Sequence, residues 1–526
     1  MIYAHVVLSL ATIAVFAILI KIRLRSRINY YFPGLFPCKK PVFLPIAVLN
    51  HVPCTEKNED LISQLSDDIL ILIISRLSTR DATRTSLLAR RWRNLYRYVT
   101  EIELSCYDLL ERAPGISRSF RPKSSDSVMN ALDSFLRLRS GSKIPSFRLT
   151  ACSNKSATDR FEQCISILGR MDVESFFLEG CRHSYLLDLS FSCHLFSKMP
   201  LLKKIELSNC YLQSSLRSQC NNSIQNLVLM DVSVSPGAIE SVLSNCLKLH
   251  SLMMTGCACP SKLSFCGPHL ELKSLYIMEC EGVKEIEFYA SNLVIFEFTN
   301  PVQVDFIFDH VPQLQSTYIY IFEKNIFPYV CGKLAVDLPD LKSLNFATRG
   351  DNFQESRINM FGNLRRLYIN VYSLPKIHLL WLTSFLHSCP LLQEFHLTMN
   401  ICVHGPLVEK EKQAVVFHSE LKKMEIGGFR GTEYEMEFAL YILKSAISLE
   451  IMNINRCPKV YSGPDNWRWE YVHSWSENTR ARIQTELQGQ AVSKTAQLTV
   501  QHEPDDPLHS GPSCSLCDAC CVQRLI

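Results

Sequence analysis

The sequence carries almost no net charge for its length. Its 55 lysines and arginines are nearly balanced by 51 aspartates and glutamates, which leaves +4 over 526 residues. It also contains no stripe of basic residues, the feature that a protein needs to neutralise the phosphates of nucleic acid. We therefore expect no nucleic-acid partner.

Motifs that carry catalysis or nucleotide binding are absent as well. The chain has no G-x-x-x-x-G-K, H-E-x-x-H or G-x-S-x-G pattern. Lone histidines such as His250, His310 and His396 stand in separate segments, with no nucleophile motif beside them. The sequence predicts a chain that is not an enzyme and that needs no cofactor or metal.

The 22 cysteines are scattered rather than paired in a disulfide framework. Most stand singly, as Cys210, Cys246, Cys389 and Cys457 do, and a buried free cysteine behaves as a small hydrophobic residue. This usage indicates a reducing compartment with free thiols. The last cysteines form C-x-x-C-x-x-C-C, which has zinc-like local spacing but lacks a second ligand pair. A tail with incidental thiols is favoured there, with zinc binding and S-acylation left open for Cys514, Cys517, Cys520 and Cys521.

The first twenty residues, MIYAHVVLSLATIAVFAILI, contain no charged side chain. A helix of this length would span roughly 30 Å, the thickness of bilayer hydrocarbon. Lys21 and three arginines follow at once, and such basic residues stay on the cytosolic side. We predict a possible transmembrane anchor at residues 1–22, with an upstream exon joined in error as the alternative. Residues 23–58 hold five prolines and are predicted to form a linker.

Residues 59–100 read as three short helices. Ser66-Asp67-Asp68 supplies an N-cap and first-turn acids, and apolar residues then recur at helical spacing up to Leu77. Ser78 begins a second capped helix, and the last stretch, Arg90–Tyr96, is basic and aromatic. Forty residues cannot bury all of these apolar side chains. Some of this surface is therefore expected to pack against a partner.

The segment EDLISQLSDDILILIISRLSTRDATRTSLLARRWRNLYRY resembles the F-box, the adaptor-binding motif of ubiquitin-ligase receptors. It departs from the family pattern at Ser66, where proline is usual. The resemblance implies that the chain is a substrate receptor of an SCF-type ligase, in the cytosol or nucleus, which binds a Skp-type adaptor and through it a cullin. It assigns the adaptor contact to Leu61, Leu65, Ile69, Leu70, Ile73, Leu77, Leu88 and Trp92.

The remainder of the chain repeats an L-x-x-L-x-L unit. The unit starts at 99, 144, 173, 202, 224, 249, 272, 293, 314, 341, 364, 392, 421 and 449, and from residue 144 onward the spacings run from 21 to 29 residues. Such spacings are the signature of leucine-rich repeats, in which stacked parallel strands share one core. We predict an α+β chain in which a helical F-box at 59–100 precedes an α/β leucine-rich-repeat solenoid, or horseshoe, at 101–418.

The segment 419–460 resembles the FBD closing module of plant-type F-box proteins with divergent leucine-rich repeats. Its order is a strand, a glycine-rich turn, an amphipathic helix and a strand, which would cap the open end of the solenoid. Residues 461–526 are polar and contain cysteines, and we expect a disordered tail there.

In each L-x-L strand the central residue points away from the core. Tyrosine and methionine recur in this row and are favoured at interfaces, although tyrosine also suits exposed strands. We predict a target-binding concave face that includes Met253, Tyr276, Glu297, Tyr318, Tyr368 and His396.

Two other functions stay open at this stage. One is a membrane-tethered repeat scaffold without a ligase role, and the other is a small-ligand receptor. The second is disfavoured because the row, read from Glu206 to Asn453, contains acids but no lysine or arginine.

Overall fold

The structure is a computed structural model. It describes residues 64–105, 125–138, 143–151, 158–181, 189–214, 223–267, 269–321, 326–349, 359–373, 379–400, 416–463 and 466–502. The chain divides into two compact units after Leu104. The predicted anchor, the predicted linker, Leu61 and the C-terminal cysteine cluster lie outside the described residues. Within the described ranges no helix is long and apolar enough to cross a bilayer.

The first unit is built from short helices. Helix α1 spans Asp67–Ile74 and α2 spans Thr79–Arg84, and 3-10 turns follow at Thr85–Leu87 and Arg91–Tyr98 before strand β1 at Glu101–Ser105. The Ser78 hydroxyl accepts a hydrogen bond from the Asp81 amide at 3.1 Å, which confirms the second predicted cap. Ser66 stands at the N-cap of α1, but its side chain makes no capping bond. Arg91 joins the ends of the unit instead, since it pairs with Asp67 at 2.7 Å and donates to the Leu65 carbonyl.

The second unit is a parallel-sheet solenoid. Its main sheet consists of β2 (Ser146–Ala151), β3 (Ser175–Gly180), β5 (Lys204–Ser208), β7 (Asn226–Met230), β9 (Ser251–Thr255), β11 (Ser274–Met278), β13 (Ile295–Asn300), β15 (Ser316–Ile321), β16 (Ser343–Arg349), β17 (Arg366–Ser373), β18 (Glu394–Met399), β19 (Lys423–Gly427), β20 (Ile451–Asn455) and β23 (Gln497–Gln501), paired in that order. Every predicted L-x-x-L-x-L unit yields a strand that begins two residues after its start. The predicted fold class is therefore confirmed.

Two smaller parallel sheets lie on the outer limb, by which we mean the side of each repeat opposite the main sheet. They order as β4 (Ser190–Ser192), β6 (Tyr211–Gln213) and β8 (Ser233–Val234), and as β10 (Lys262–Cys266), β12 (Glu285–Tyr289) and β14 (Asp305–His310). An antiparallel pair, β21 (Lys459–Gly463) with β22 (Asn466–Trp469), completes the described strands.

A recurring turn links the main strands to the outer limb. The residue that follows the strand has a left-handed backbone in four consecutive repeats, at Asn209, Asp231, Gly256 and Glu279. Its amide donates to a carbonyl of the next strand in each case, as Asn209 does to Met230 at 3.0 Å. The position after it is buried in all four and holds cysteine in three of them, Cys210, Cys257 and Cys280. These cysteines act as small core residues, and burial raises the pKa of the Cys210 thiol to about 12.

Helices fill the outer limb where the small sheets do not. They are α3 (Ser125–Leu138), α4 (Thr158–Leu168), α5 (Ala238–Asn245), α6 (Phe327–Tyr329, a π turn at Val330–Leu334, then Ala335–Asp337), α7 (Trp381–His387), α8 (Glu433–Ser445) and α9 (Glu477–Leu487), with 3-10 turns at Gly169–Met171 and Cys193–Lys198. The core between the two layers is rich in phenylalanine. Phe288, Phe298 and Phe306 are almost inaccessible, and Phe298 meets Phe306 edge-on at 5.0 Å.

The C-terminal part departs from the sequence prediction. Residues 423–455 form the predicted order of strand, glycine-rich turn, helix and strand, and Thr432 with Glu435 makes a capping box at the start of α8. The solenoid does not end there, because β23 pairs with β20 beyond it. The expectation of a disordered tail from residue 461 is wrong for β22, α9 and β23. Ile483 and Leu487 of α9 are buried, which gives this segment an apolar anchor that its polar composition hides.

Candidate protein-interaction sites

The first unit exposes apolar side chains that it does not cover. Leu87 is 85 % exposed, Leu88 69 %, Leu72 60 % and Ile69 46 %. Helix α1 forms because apolar residues recur at helical spacing. These residues occupy more than one face of the helix. One side, Leu70 with Ile74, is buried, and the others stay accessible. Exposed apolar side chains of this kind are typical of surfaces that another protein covers.

Seven of the eight residues assigned to adaptor binding lie in the described residues, and they fall into groups. Ile69 and Leu88 are exposed, and Leu65, Ile73 and Leu77 are half-buried. Leu70 and Trp92 are buried, so they support the unit from within and do not face a partner. The periodicity could not separate these groups, and it did not single out Leu72 and Leu87, which are also exposed.

The predicted row of the concave face is a continuous line across the main sheet. We use concave face for the side of the main sheet that points away from the core. Strand pairing places the row in register from end to end. Its members are Arg148, Phe177, Glu206, Val228, Met253, Tyr276, Glu297, Tyr318, Asn345, Tyr368, His396, Glu425, Asn453 and Thr499. Arg148 and Phe177, which the sequence analysis did not include, bring a cation and an aromatic ring to its first end.

The second half of this row is covered by the chain itself. The antiparallel pair β21–β22, called the hairpin from here on, lies across it. The Tyr461 ring sits 4.1 Å from the Tyr318 ring, centroid to centroid, and its hydroxyl donates to Glu297. The Trp467 ring stacks on Tyr368 at 5.6 Å. Of the six predicted target-binding residues, Glu297, Tyr318 and Tyr368 thus contact the hairpin directly.

The other three predicted residues have different surroundings. His396 is buried and stacks on Tyr368 at 4.3 Å. Tyr276 is buried one rung before Glu297, and Met253 is half-buried on the rung before that. Strand register places all six in one row of the main sheet, and their binding role stays a prediction.

Carboxylates and a histidine form a polar cluster under the hairpin. His396 Nδ1 lies 3.0 Å from Glu425 Oε2, and His396 Nε2 lies 3.6 Å from Glu394 Oε2. Burial raises the pKa of Glu425, but His396 together with Lys459 and Lys423 outweighs burial and leaves this pKa below its usual value. His396 also lowers the pKa of Glu394. Both carboxylates are therefore charged at neutral pH, and they offer hydrogen-bond acceptors to a segment that packs over them.

Gly427 lets the base of the hairpin approach the sheet. It occupies a concave-face position of β19, in register with Thr398. A Cβ atom there would lie 3.2 Å from the Cys457 carbonyl oxygen and 3.4 Å from Pro458 Cα. Together with Tyr368, His396 and Glu425, it lines a narrow cleft that Lys459 and Trp467 close from the other side. The glycine-rich turn predicted from the sequence gave no sign of this close approach.

Within the described residues no group of three or more histidine, cysteine, aspartate or glutamate side chains could hold a metal ion. The contacts at both surfaces are rings, leucines, carboxylates and a lysine. Such groups are common where protein segments pack against one another.

Comparison with known proteins agrees with this architecture. The family model of the At1g61320/AtMIF1 LRR domain matches residues 135–494, more than half of the chain, and the F-box domain model matches residues 62–95. This chain belongs to that leucine-rich-repeat family and carries an F-box. The predicted resemblance to plant F-box proteins is thereby confirmed.

Relatives of this F-box leucine-rich-repeat protein occur in Arabidopsis thaliana. The putative F-box protein At3g58860 is 24 % identical over 420 residues, which cover 75 % of this chain and 88 % of the relative. The F-box/FBD/LRR-repeat protein At5g18770 is 25 % identical over 400 residues, with 66 % and 74 % covered. The FBD-associated F-box protein At4g10400 is 23 % identical over 419 residues, with 77 % and 94 % covered. F-box proteins with leucine-rich repeats generally serve as non-catalytic receptors in SCF complexes.

Proposed function

We propose that the chain is the substrate receptor of an SCF-type ubiquitin ligase. Its F-box binds a Skp-type adaptor, and its repeats hold a target protein. The receptor works by proximity, because a held target meets the ubiquitin-loaded enzyme at a high effective concentration. The chain itself makes or breaks no bond.

The exposure of Leu87 and Leu88 carries the proposal. Two neighbouring leucines at 85 % and 69 % exposure lie in a segment that matches the F-box model. Contact between apolar side chains and water is unfavourable, and burial beneath another chain would remove that cost. Ile69 and Leu72 extend the same apolar character to α1, where they are also exposed.

The test is a binding measurement between the full chain and a plant Skp adaptor. Substituting Leu87→Ala together with Leu88→Ala removes two side chains that the adaptor would cover, at about 1.5 kcal/mol each. We expect a loss of affinity of about 100-fold, with no loss of thermal stability. A matched control is Leu201→Ala with Leu247→Ala, two exposed leucines in the repeats.

The outcomes separate clearly. Equal weakening by both double variants would point to a non-specific effect. Absence of adaptor binding by the unmodified chain would refute the receptor proposal. The buried Leu70 and Trp92 are unsuitable for this test, because their removal would unfold the unit that binds.

A further inference from the structure

The hairpin is held differently from every other strand near it. Within the described residues β21 and β22 form a sheet of two strands, whereas each main-sheet strand beneath them (β13, β15, β16, β17, β18 and β19) is paired on both sides. A two-stranded hairpin on its own is only marginally stable in water. Its position over the concave face therefore depends on its side chains.

Those side chains are two aromatic rings placed on aromatic partners. Tyr461 packs against the cluster of Tyr318, Tyr320 and Ala347, and Tyr372 completes that cluster by stacking on Tyr320 at 5.0 Å. Trp467 covers Tyr368 and meets the Tyr461 ring edge-on at 5.3 Å. Large rings seated in this way are the usual anchors of protein interfaces.

Charge is complementary across the same contact. The hydroxyl of Tyr461 donates to the Glu297 carboxylate. Lys459 and Glu425 line the same cleft, and the lysine contributes to the low pKa of that carboxyl. The sheet side thus offers acids and tyrosine rings, and the hairpin brings a donor, a cation and two rings.

The covered surface is not built like a core. Asn345 Oδ1 and Asn370 Nδ2 are buried beneath this region, and neither has a hydrogen-bond partner among the described residues. A buried polar group without a partner opposes the state that buries it. Acids, amides and a histidine in one row are typical of a face that is made to be contacted.

We propose that the hairpin is a displaceable internal mimic of the target. The surface beneath it binds a protein segment that carries two aromatic side chains and a lysine or arginine beside them. This inference rests on the proposed function, in which the concave face holds the target. Target binding then requires the hairpin to leave, and the affinity for the target is reduced by the fraction of molecules that are closed.

The probe is the hairpin itself, supplied as a separate peptide. A fluorescent peptide of residues 456–471, RCPKVYSGPDNWRWEY with Cys457→Ser, is titrated with the full chain and followed by anisotropy. The full chain with Tyr461→Ala and Trp467→Ala is titrated in parallel. We expect this variant to bind the peptide at least about tenfold more tightly than the unmodified chain, because its own hairpin no longer competes.

Two matched controls define the contact. Arg468 is an exposed hairpin residue whose ion pair with Glu470 is long, at 3.9 Å. Arg468→Ala should therefore leave the affinity for the peptide unchanged. A peptide in which both aromatic residues are alanine should not bind. Equal affinity of the unmodified chain and the double variant, or no binding to either, would overturn the proposal.

Hydrogen exchange on the unmodified chain gives a second test that needs no substitution. Amides of β21 and β22 should exchange faster than those of β17 and without global unfolding. Exchange as slow as that of β17 would show a fixed element and would equally overturn the proposal. Adaptor binding, measured on the same samples, reports on the F-box alone, so its failure is distinguishable from failure of the hairpin proposal.

Discussion

The two halves of the concave face share one sheet and one register but differ in exposure. In the half from β2 to β9 the row residues, such as Phe177, Val228 and Met253, are half-buried. In the half from β13 to β19, Tyr318 retains only 4 % of its exposure, and Glu297, His396 and Glu425 are also buried. Alternation along a strand determines where a side chain points. Whether it meets solvent depends on a segment elsewhere in the chain.

The halves also differ in chemistry. In the open half Arg148 lies 4.3 Å from the centre of the Phe177 ring, and Lys204 lies 5.2 Å from it. The covered half presents tyrosine rings and carboxylates instead. A positively charged aromatic patch and an acidic aromatic patch on one wall would select different partners.

The largest difference should appear when one row side chain is truncated to alanine in each half. Tyr318→Ala leaves a cavity between the sheet and the hairpin and should lower the free energy of unfolding by about 3 kcal/mol. Val228→Ala, at the equivalent position of the open half, should cost less than about 1 kcal/mol. Urea unfolding of both variants measures this. Similar losses in the free energy of unfolding would mean that the hairpin does not stabilise the concave face.

His418 should make stability depend on pH between 6.5 and 4. His418 stacks with His387 at 5.4 Å, and burial lowers the pKa of His418 to about 4, with a further contribution from His387. Because the unfolded histidine takes up a proton near pH 6.5 and the folded one does not, stability is complete above pH 6.5 and falls between pH 6.5 and 4. We expect a loss of about 2 kcal/mol over this range, since the residue is partly exposed.

His418→Gln removes this titration. Urea midpoints measured from pH 7.5 to pH 4 should therefore fall less steeply in the variant than in the unmodified chain. Parallel profiles would refute the assignment of the pH effect to His418.

A side chain at Gly427 should push the hairpin away from the sheet. Valine adds atoms where a Cβ alone would already lie 3.2 to 3.4 Å from the Cys457–Lys459 backbone. We expect a cost of about 1–2 kcal/mol and faster exchange of the hairpin amides. Gly362→Val is the control, because a Cβ there meets no atom within 4 Å. Unchanged exchange in Gly427→Val would show that the base of the hairpin is not seated on this residue.

The smallest effect should have the opposite sign. Asn370 is 2 % exposed and its Nδ2 has no hydrogen-bond partner among the described residues. Asn370→Leu should raise the free energy of unfolding by up to about 1 kcal/mol, because it removes a buried polar group that is not satisfied. Asn226→Leu, at an exposed position of the open half, should change it by less than about 0.5 kcal/mol. A destabilised Asn370→Leu would indicate that this amide makes a bond that matters.

The strands of the solenoid could be predicted because their signal is repeated. Each unit places apolar residues at fixed offsets, so the starts of the main-sheet strands from β2 to β20 followed from the pattern. The end of the fold could not be predicted in this way. Strand β23 has only Leu498 and Val500 facing inward, and α9 buries only Ile483 and Leu487. Such short apolar sets are indistinguishable from the background of a polar segment.

The hairpin had a local signal that was overlooked. Ser-Gly-Pro-Asp-Asn stands between aromatic residues in YSGPDNWRW, and this composition is typical of a turn between two strands. The surface on which the hairpin packs could not be predicted. The contact between Tyr461 and Glu297 joins residues 164 positions apart, and no periodicity in the sequence encodes such a contact. Similarly, helical spacing could not distinguish the buried Leu70 from the exposed Ile69 in the F-box.

The position of the hairpin along the chain has a kinetic and thermodynamic consequence. It is tethered at both ends, because β20 precedes it and α9 with β23 follows, and both of these strands belong to the main sheet. A released hairpin therefore cannot diffuse away, and it competes for its site at an effective concentration on the order of millimolar. The hairpin displaces proteins that bind this surface weakly, and only ligands above a threshold affinity remain bound. The element that closes the surface would thus also act as a filter against low-affinity proteins.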